Sequence, residues 1–296
     1  MSNISDYLQT IGQFPVVSLQ AFVRSQQLQG TLLACLAYGG ATGTIKSPLA
    51  YGMLALAQEG KLLQPRQTVV EASCGTFGVA LALACRQLGH PLILCVPFTT
   101  DHARVELLKQ LGASVHLCEA NCQQQLSQIA KEYAQTHNAY YMDCFSNDLN
   151  PEFHRRVTGP AIFRATGGDL DFIVIGVGTG GTITGVGEYA KAWSNASIIA
   201  VEPYESQCLN EGFAGSHSIE GIGLGFVPDN YNPYVVNRII AVSSGEAATT
   251  AHQILLTQGI PACRSAGAVA EAACHLLREK PSSRVLCVFS GIELCQ

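Results

Sequence analysis

Three glycine-rich loops, one of them ending in a lysine, carry the residue types best suited to chemistry. Gly178-Thr179-Gly180-Gly181-Thr182-Ile183-Thr184-Gly185 follows the apolar run FIVIGV and precedes GEYAKAW, an order that reads as strand, glycine loop and helix. Glycines let successive backbone N–H groups converge on one anion, threonine hydroxyls add donors, and a helix N-terminus supplies a favourable dipole. Such a loop suits a phosphate. No lysine closes it in the GxxxxGK[ST] manner, and no ribose-binding acid follows at dinucleotide spacing, so a nucleotide is disfavoured. The second loop, Gly39 to Pro48, delivers Lys46 to a helix start. Beside a positive dipole end and an apolar helix, the charged form of Lys46 is disfavoured, which exposes the neutral amine that forms imines. The third, Ser73-Cys74-Gly75-Thr76-Phe77-Gly78, leads into a stretch from Gly78 to Leu88 that is apolar nearly all round and predicts a buried helix.

These loops need rigid elements behind them. Ser47-Pro48 offers an N-cap and a first-turn proline, and Leu49, Met53, Leu54, Leu56 and Ala57 continue an apolar pattern up to Gly60, so a helix is expected directly after Lys46. Short β-branched runs alternate with helical patterns from about Leu32 onward. TVVEA, PLILCVP, ASVHLCE and AYYMD form one series, and DFIVIGVG, ASIIAVE, NRIIAVS and RVLCVFS form a second. The class is α/β, with two lobes that are each a mainly parallel sheet flanked by helices. Residues 39–148 make the smaller lobe, and residues 1–38 with 149–296 make the larger. The segment CFSNDLNPEFHRRVTGP combines Asn, Pro and Gly signals and is the expected crossing between them.

Composition narrows the function. Hydrophobic residues are 48% of the 296 and charged residues 13%, against roughly 25% in ordinary soluble domains, so much of the chain must be buried. A formal charge of -5 and only six lysines argue against nucleic acid. No apolar run reaches the roughly 18 residues of a membrane span. The start, MSNISDYLQT, lacks a basic segment followed by an apolar one, so a cytoplasmic protein is expected. Twelve cysteines with no CxxC pair, mostly inside apolar runs, read as reduced core thiols. Eight histidines form no HExxH or similar ligand pair, and no metal is expected.

Taken together, these motifs resemble the fold type II pyridoxal-phosphate enzymes, specifically the cysteine synthase (O-acetylserine sulfhydrylase) and cystathionine β-synthase group, with a fold like the tryptophan synthase β-subunit. Thr10-Ile11-Gly12-Gln13-Phe14-Pro15-Val16-Val17 is similar to that family's opening IGNTPLV, and Thr44-Ile45-Lys46 sits where its SxK places the Schiff-base lysine. Glu71 to Gly78 falls on EPTSGNTG, Gly178 to Thr182 on GTGGT, and Ser216 to Gly223 with Gly225-Phe226-Val227-Pro228 on PHKIQGIG and GFIP. Arg264-Ser265-Ala266-Gly267 is similar to S[SA]G. The resemblance implies pyridoxal 5'-phosphate as cofactor, attached to Lys46, which also acts as the base. Gly178, Thr179, Gly180, Gly181 and Thr182 would hold its phosphate, Ser265 its ring nitrogen, and Thr76 its 3' oxygen. Ser73, Cys74, Gly75, Phe77, Cys144 and Gly221 would face the substrate.

A neutral hydroxyl at the ring nitrogen does not keep that nitrogen protonated, which weakens the electron sink and suits β-chemistry over transamination. The implied reaction is β-replacement on a serine derivative, O-acetylserine or O-phosphoserine, through an α-aminoacrylate. Elimination, as in a cysteine desulfhydrase, and addition of an amine to give 2,3-diaminopropionate are alternatives. A catalytically poor homologue with a binding or regulatory role is another. The resemblance also implies a homodimer acting on a small amino acid. Departures cluster in the substrate loops: Thr76-Phe77 replace the family's Asn-Thr, Cys144 replaces the Gln of DQF, and Ser47-Pro48 follow the lysine. They read as a rebuilt substrate pocket. Cys74 stands where the family has serine, near a helix N-terminus.

Overall fold

The computed structural model describes residues 13–38 and 40–292. Ile11, Gly12 and Gly39 lie outside the described residues. The chain divides into two compact units, one of residues 1–39 and 150–296 and the other of residues 40–149.

Strand β1 (Val16–Ser18), helix α1 (Gln20–Ser25) and strand β2 (Thr31–Leu36) open the larger unit. The smaller unit follows with α2 (Lys46–Glu59), β3 (Val69–Ala72), α3 (Thr76–Leu88), β4 (Leu92–Pro97), α4 (His102–Gln110), β5 (Ala113–Cys118), α5 (Gln123–Thr136) and β6 (Tyr140–Tyr141). A short helix α6 (Leu149–Phe153), a π-turn (His154–Thr158) and α7 (Gly159–Thr166) lead back to the larger unit. There β7 (Phe172–Gly176), α8 (Gly181–Trp193), β8 (Ser197–Pro203), β9 (Arg238–Val242), α9 (Ser244–Gln258), α10 (Arg264–Glu279) and β10 (Arg284–Phe289) complete it.

All eight strands expected from the sequence form. β1 and β2 form as well, paired antiparallel with Val17 opposite Ala34, and they were missed. β2 reads TLLACL, with leucine and alanine where β-branched residues would have marked a strand. The larger sheet has the order β1-β2-β10-β7-β8-β9, parallel except at β1. The smaller sheet, β5-β4-β3-β6, is parallel throughout. Parallel strands covered on both faces are continuous apolar runs, as in β10, where five of six residues are buried.

Each sheet has one point where successive strands turn in opposite directions. In the larger sheet β7, β8 and β9 step one way and β10 returns on the other side of β7. In the smaller sheet β3, β4 and β5 step one way and β6 returns beside β3. Loops leaving the carboxyl ends of strands at such a point diverge and leave a crevice, where α/β sheets bind ligands. Here those loops are 177–180 after β7, Ser290 after β10, Ser73 to Gly75 after β3, and Met142 to Cys144 after β6.

Candidate active site

In the larger unit the loop after β7 turns on Gly180, whose φ of +81° lies in the left-handed region open to glycine, and Gly180 is the N-cap of α8. The first-turn N–H groups of Gly181 and Thr182 have no partner within a helix and face outward at its positive end. Behind the loop, the backbone is pressed against its neighbours. A side-chain carbon at Gly178 would collide with the carbonyl oxygen of Gly221, and one at Gly180 would lie 2.6 Å from the Tyr231 nitrogen. Gly181 is backed by the Asn150 side chain in the same way.

The threonine hydroxyls are held from below. Asn150 Nδ2 donates to Thr179 Oγ1 at 3.1 Å, and Thr182 Oγ1 lies 3.1 Å from His154 Nε2, whose Nδ1 is 2.8 Å from Thr158 Oγ1. Asn150 and His154 are fully buried and four residues apart, the spacing that puts two side chains on one helical face. Sequence reading missed both, and that spacing was the available signal.

Thr182 and Ser265 line one open pocket of about 250 Å³ with Ile175, Gly176, Val269, Val288 and Ser290. It sits where β7 and β10 end. Ser265 is in the first turn of α10, with its hydroxyl 3.1 Å from Cys263 Sγ and 3.4 Å from Ser290 Oγ. Gly267 fixes that helix, since a side chain there would collide with the Ala247 carbonyl on α9. Gly221, with φ +87°, turns the chain against Gly178, and Gly223 N–H then donates to Val177 O at 3.0 Å. Gly221 thereby backs the glycine loop.

In the smaller unit Lys46 is the first residue of α2, not the residue before it as the sequence suggested. Ser47 is therefore inside the first turn and does not cap. Its Oγ instead accepts the Thr42 N–H at 3.0 Å and lies 2.7 Å from Thr42 Oγ1, while the Lys46 N–H donates to Thr44 Oγ1 at 3.2 Å. This hydroxyl knot fixes the backbone that carries the amine. Lys46 keeps part of its surface accessible, and protein packed around its nitrogen lowers the pKa from the ordinary lysine value. A neutral amine is what both carbonyl attack and proton removal need.

The third loop precedes α3, whose N-cap is Gly75. Ser73 Oγ accepts the Gly78 N–H at 3.1 Å, closing the turn, and leaves Gly75 and Thr76 exposed at the helix N-terminus. Ser73 and Cys74 are half-buried. Phe77, in the first turn of α3, is 6% exposed. Its position in the first turn of an almost wholly buried helix draws the ring inward.

Cys144 is buried beside the end of β3, where its N–H donates to Glu71 Oε2 at 3.1 Å. Desolvation pushes the Glu71 carboxyl up to about 7 and the Cys144 thiol well above its ordinary value. Because folding raises the Glu71 pKa, the folded chain holds this proton more tightly than the unfolded chain. Stability from this group is complete below about 4.5 and is lost as pH rises through about 7, by roughly 3 kcal/mol in total. Chemical denaturation followed across that window is expected to show the decline in the native chain and not in Glu71→Gln.

The pocket lined by Thr182, Ser265 and Ser290 with Ile175, Val269 and Val288 fits a phosphorylated aromatic ring: donors at a helix start for the anion, aliphatic walls for the ring, and serine hydroxyls for a ring nitrogen. Among the described residues no cluster of His, Cys, Asp or Glu could hold a metal ion, and no helix is long and apolar enough to cross a membrane. The model of the pyridoxal-phosphate dependent enzyme family matches residues 7–291. Cysteine synthase A of Escherichia coli (strain K12) is 34% identical over 283 residues, covering 92% of this chain and 86% of that one. Among solved structures, O-acetyl serine sulfhydrylase isoform 3 from Entamoeba histolytica superposes with a TM-score of 0.90 at 28% identity, over 99% of this chain and 88% of that one. O-ureido-L-serine synthase gives 0.86 at 27%, over 99% and 92%. With the family model matching residues 7–291 and a 34% identical relative covering 92% of the chain, the chain belongs to the fold type II pyridoxal-phosphate dependent enzymes.

Proposed function

We propose that the chain catalyses β-replacement on a serine derivative such as O-acetylserine or O-phosphoserine, with sulfide or another small nucleophile. The observation that carries this reading is Ser265: the only polar side chains lining its pocket among the described residues are hydroxyls, so no carboxylate is there to hold a ring nitrogen protonated. When bound, pyridoxal phosphate supplies an electron sink for the α-carbon of an amino acid, and a neutral partner keeps that sink moderate.

The chain's own residues do the rest. Gly178 to Thr182 would hold the phosphate by backbone N–H and hydroxyl donors, each charge-assisted bond contributing about 1.5 to 3 kcal/mol. Lys46 would attach the cofactor and then, as a neutral amine, take the proton from the α-carbon and give it back. The exposed N–H of Thr76 and the loop from Ser73 would grip the substrate carboxylate, as a helix start does. The similarity to enzymes named cysteine synthase favours sulfide as nucleophile, and the likeness to O-ureido-L-serine synthase keeps other nucleophiles in view.

Product analysis tests this. With O-acetylserine and sulfide, cysteine is expected; pyruvate without any replacement product, whether sulfide or ammonia is offered, would instead make the protein an eliminating enzyme. Ser265→Ala should cost about 1 kcal/mol or more of cofactor affinity, seen as weaker retention on dialysis, because a buried ring nitrogen loses its partner.

A further inference from the structure

Cys263 and Ser265 stand at the start of α10. Cys263 is its N-cap, with extended backbone and a carbonyl that accepts the Gly267 N–H at 2.9 Å, and its thiol makes no capping bond. A polar side chain at such a position ordinarily turns onto the first free N–H groups of the helix. Here the sulfur lies 3.1 Å from Ser265 Oγ instead, and the half-buried residue packs against the core of the larger unit. Ser290, one residue past β10, brings a hydroxyl to 3.4 Å from the same oxygen. Ser265 is only 5% exposed, and Ser265 and Ser290 both line the pocket where β7 and β10 end. All three side chains belong to one unit. Neither capping the helix nor gripping a phosphate requires a thiol in this place.

We propose that Cys263 is a positioning residue that aims the Ser265 hydroxyl at the ring nitrogen of pyridoxal phosphate. The inference rests on the reading of Ser265 given above. A serine hydroxyl has one proton to give and two lone pairs with which to accept. The Cys263 S–H donates to one lone pair and the Ser290 O–H to the other, so the single proton of Ser265 is left for the pocket. An unprotonated ring nitrogen can only accept, and needs that proton. With the direction reversed, Ser265 would donate to the sulfur, its oxygen would meet the nitrogen lone pair to lone pair, and a buried acceptor would go unsatisfied, which is the costlier arrangement. A thiol suits the task because sulfur is a weak acceptor and competes little for the Ser265 proton. Since the three side chains are held by one unit, the hydroxyl is aimed before binding, which lowers the cost of ordering it.

The test titrates the full chain, freed of cofactor, with pyridoxal phosphate and reads its affinity from fluorescence. Cys263→Ser keeps a donor, Cys263→Val keeps about the same volume without one, and Cys263→Ala removes both. Affinity should fall about threefold to tenfold in Cys263→Val and Cys263→Ala and stay within about twofold in Cys263→Ser, whose hydroxyl can still donate. In a Ser265→Ala background, adding Cys263→Val should change affinity by less than about twofold, because the group it acts through is gone. A packing role predicts the reverse, with Cys263→Val like the native chain and Cys263→Ser like Cys263→Ala. Native affinity in Cys263→Val, or an equal loss with and without the Ser265 hydroxyl, overturns the positioning role alone. Where Cys263→Val fails to fold, Cys263→Ser and Cys263→Ala decide, and equal affinity in the two overturns it. Native affinity in Ser265→Ala overturns the reading of Ser265 and this inference with it.

Discussion

Lys46→Ala is expected to lower kcat/KM by about 10²- to 10⁴-fold for the loss of the general base alone, and further for the loss of cofactor attachment. The reason lies in how much of the smaller unit is organised around this one nitrogen. The Thr42, Thr44 and Ser47 hydroxyls fix the first turn of α2, and packed protein disfavours the charged form of the amine. No neighbouring lysine in that turn can substitute, since Ser47 and Pro48 follow directly. Assay with O-acetylserine and sulfide in excess pyridoxal phosphate measures the loss. A variant within tenfold of the native rate would show that another group is the base. Circular dichroism should be unchanged, because α2 buries Leu49, Met53, Leu54 and Leu56 and does not need the lysine to dock.

Gly178→Ala is the second large effect. The added carbon would collide with the Gly221 carbonyl and approach its carbon at 3.4 Å, and since every atom it meets is backbone, no flexible side chain is there to yield. Overpacking of this kind costs about 1 to 3 kcal/mol of stability. The functional loss should be larger, since a shift of the loop would misaim the N–H groups that grip the phosphate. Losing two charge-assisted bonds would weaken cofactor binding by about 3 to 6 kcal/mol, or roughly 10²- to 10⁴-fold. Thermal unfolding and a fluorescence titration with pyridoxal phosphate separate the two effects. Gly245→Ala is the control: nothing lies within 4 Å of the added carbon, and a stability gain of about 0.4 to 1 kcal/mol is expected.

What the sequence made legible was governed by local rules. Seven of the eight recognised strand runs carry Val or Ile and the eighth, AYYMD, carries paired tyrosines, and their alternation with helical patterns is enough to give two parallel sheets. The strand–glycine–helix order around Gly180 likewise needs only sequence neighbours. Properties that depend on distant pairing were hidden. Ser47 precedes a proline, which predicts a cap, whereas the helix begins at Lys46 and the serine bonds back to Thr42. The helix expected from Gly78 begins two residues earlier, at Thr76, and takes Phe77 into its first turn. Glu71 drew attention only as part of a motif. Its importance comes from β6 returning beside β3, which brings Cys144 to its carboxylate across more than seventy residues of chain. Asn150 and His154 sit in the segment expected as the crossing, where only their four-residue spacing signals that two polar side chains will be buried under the threonines.

The proposed chemistry requires Lys46 to be the residue that carries pyridoxal phosphate. Borohydride reduction of the purified protein, followed by digestion and mass spectrometry of its peptides, tests this directly. The pyridoxyl group should be found on Lys46 and on none of the other five lysines. A label on a different lysine, or no label after reconstitution with the cofactor, would contradict it.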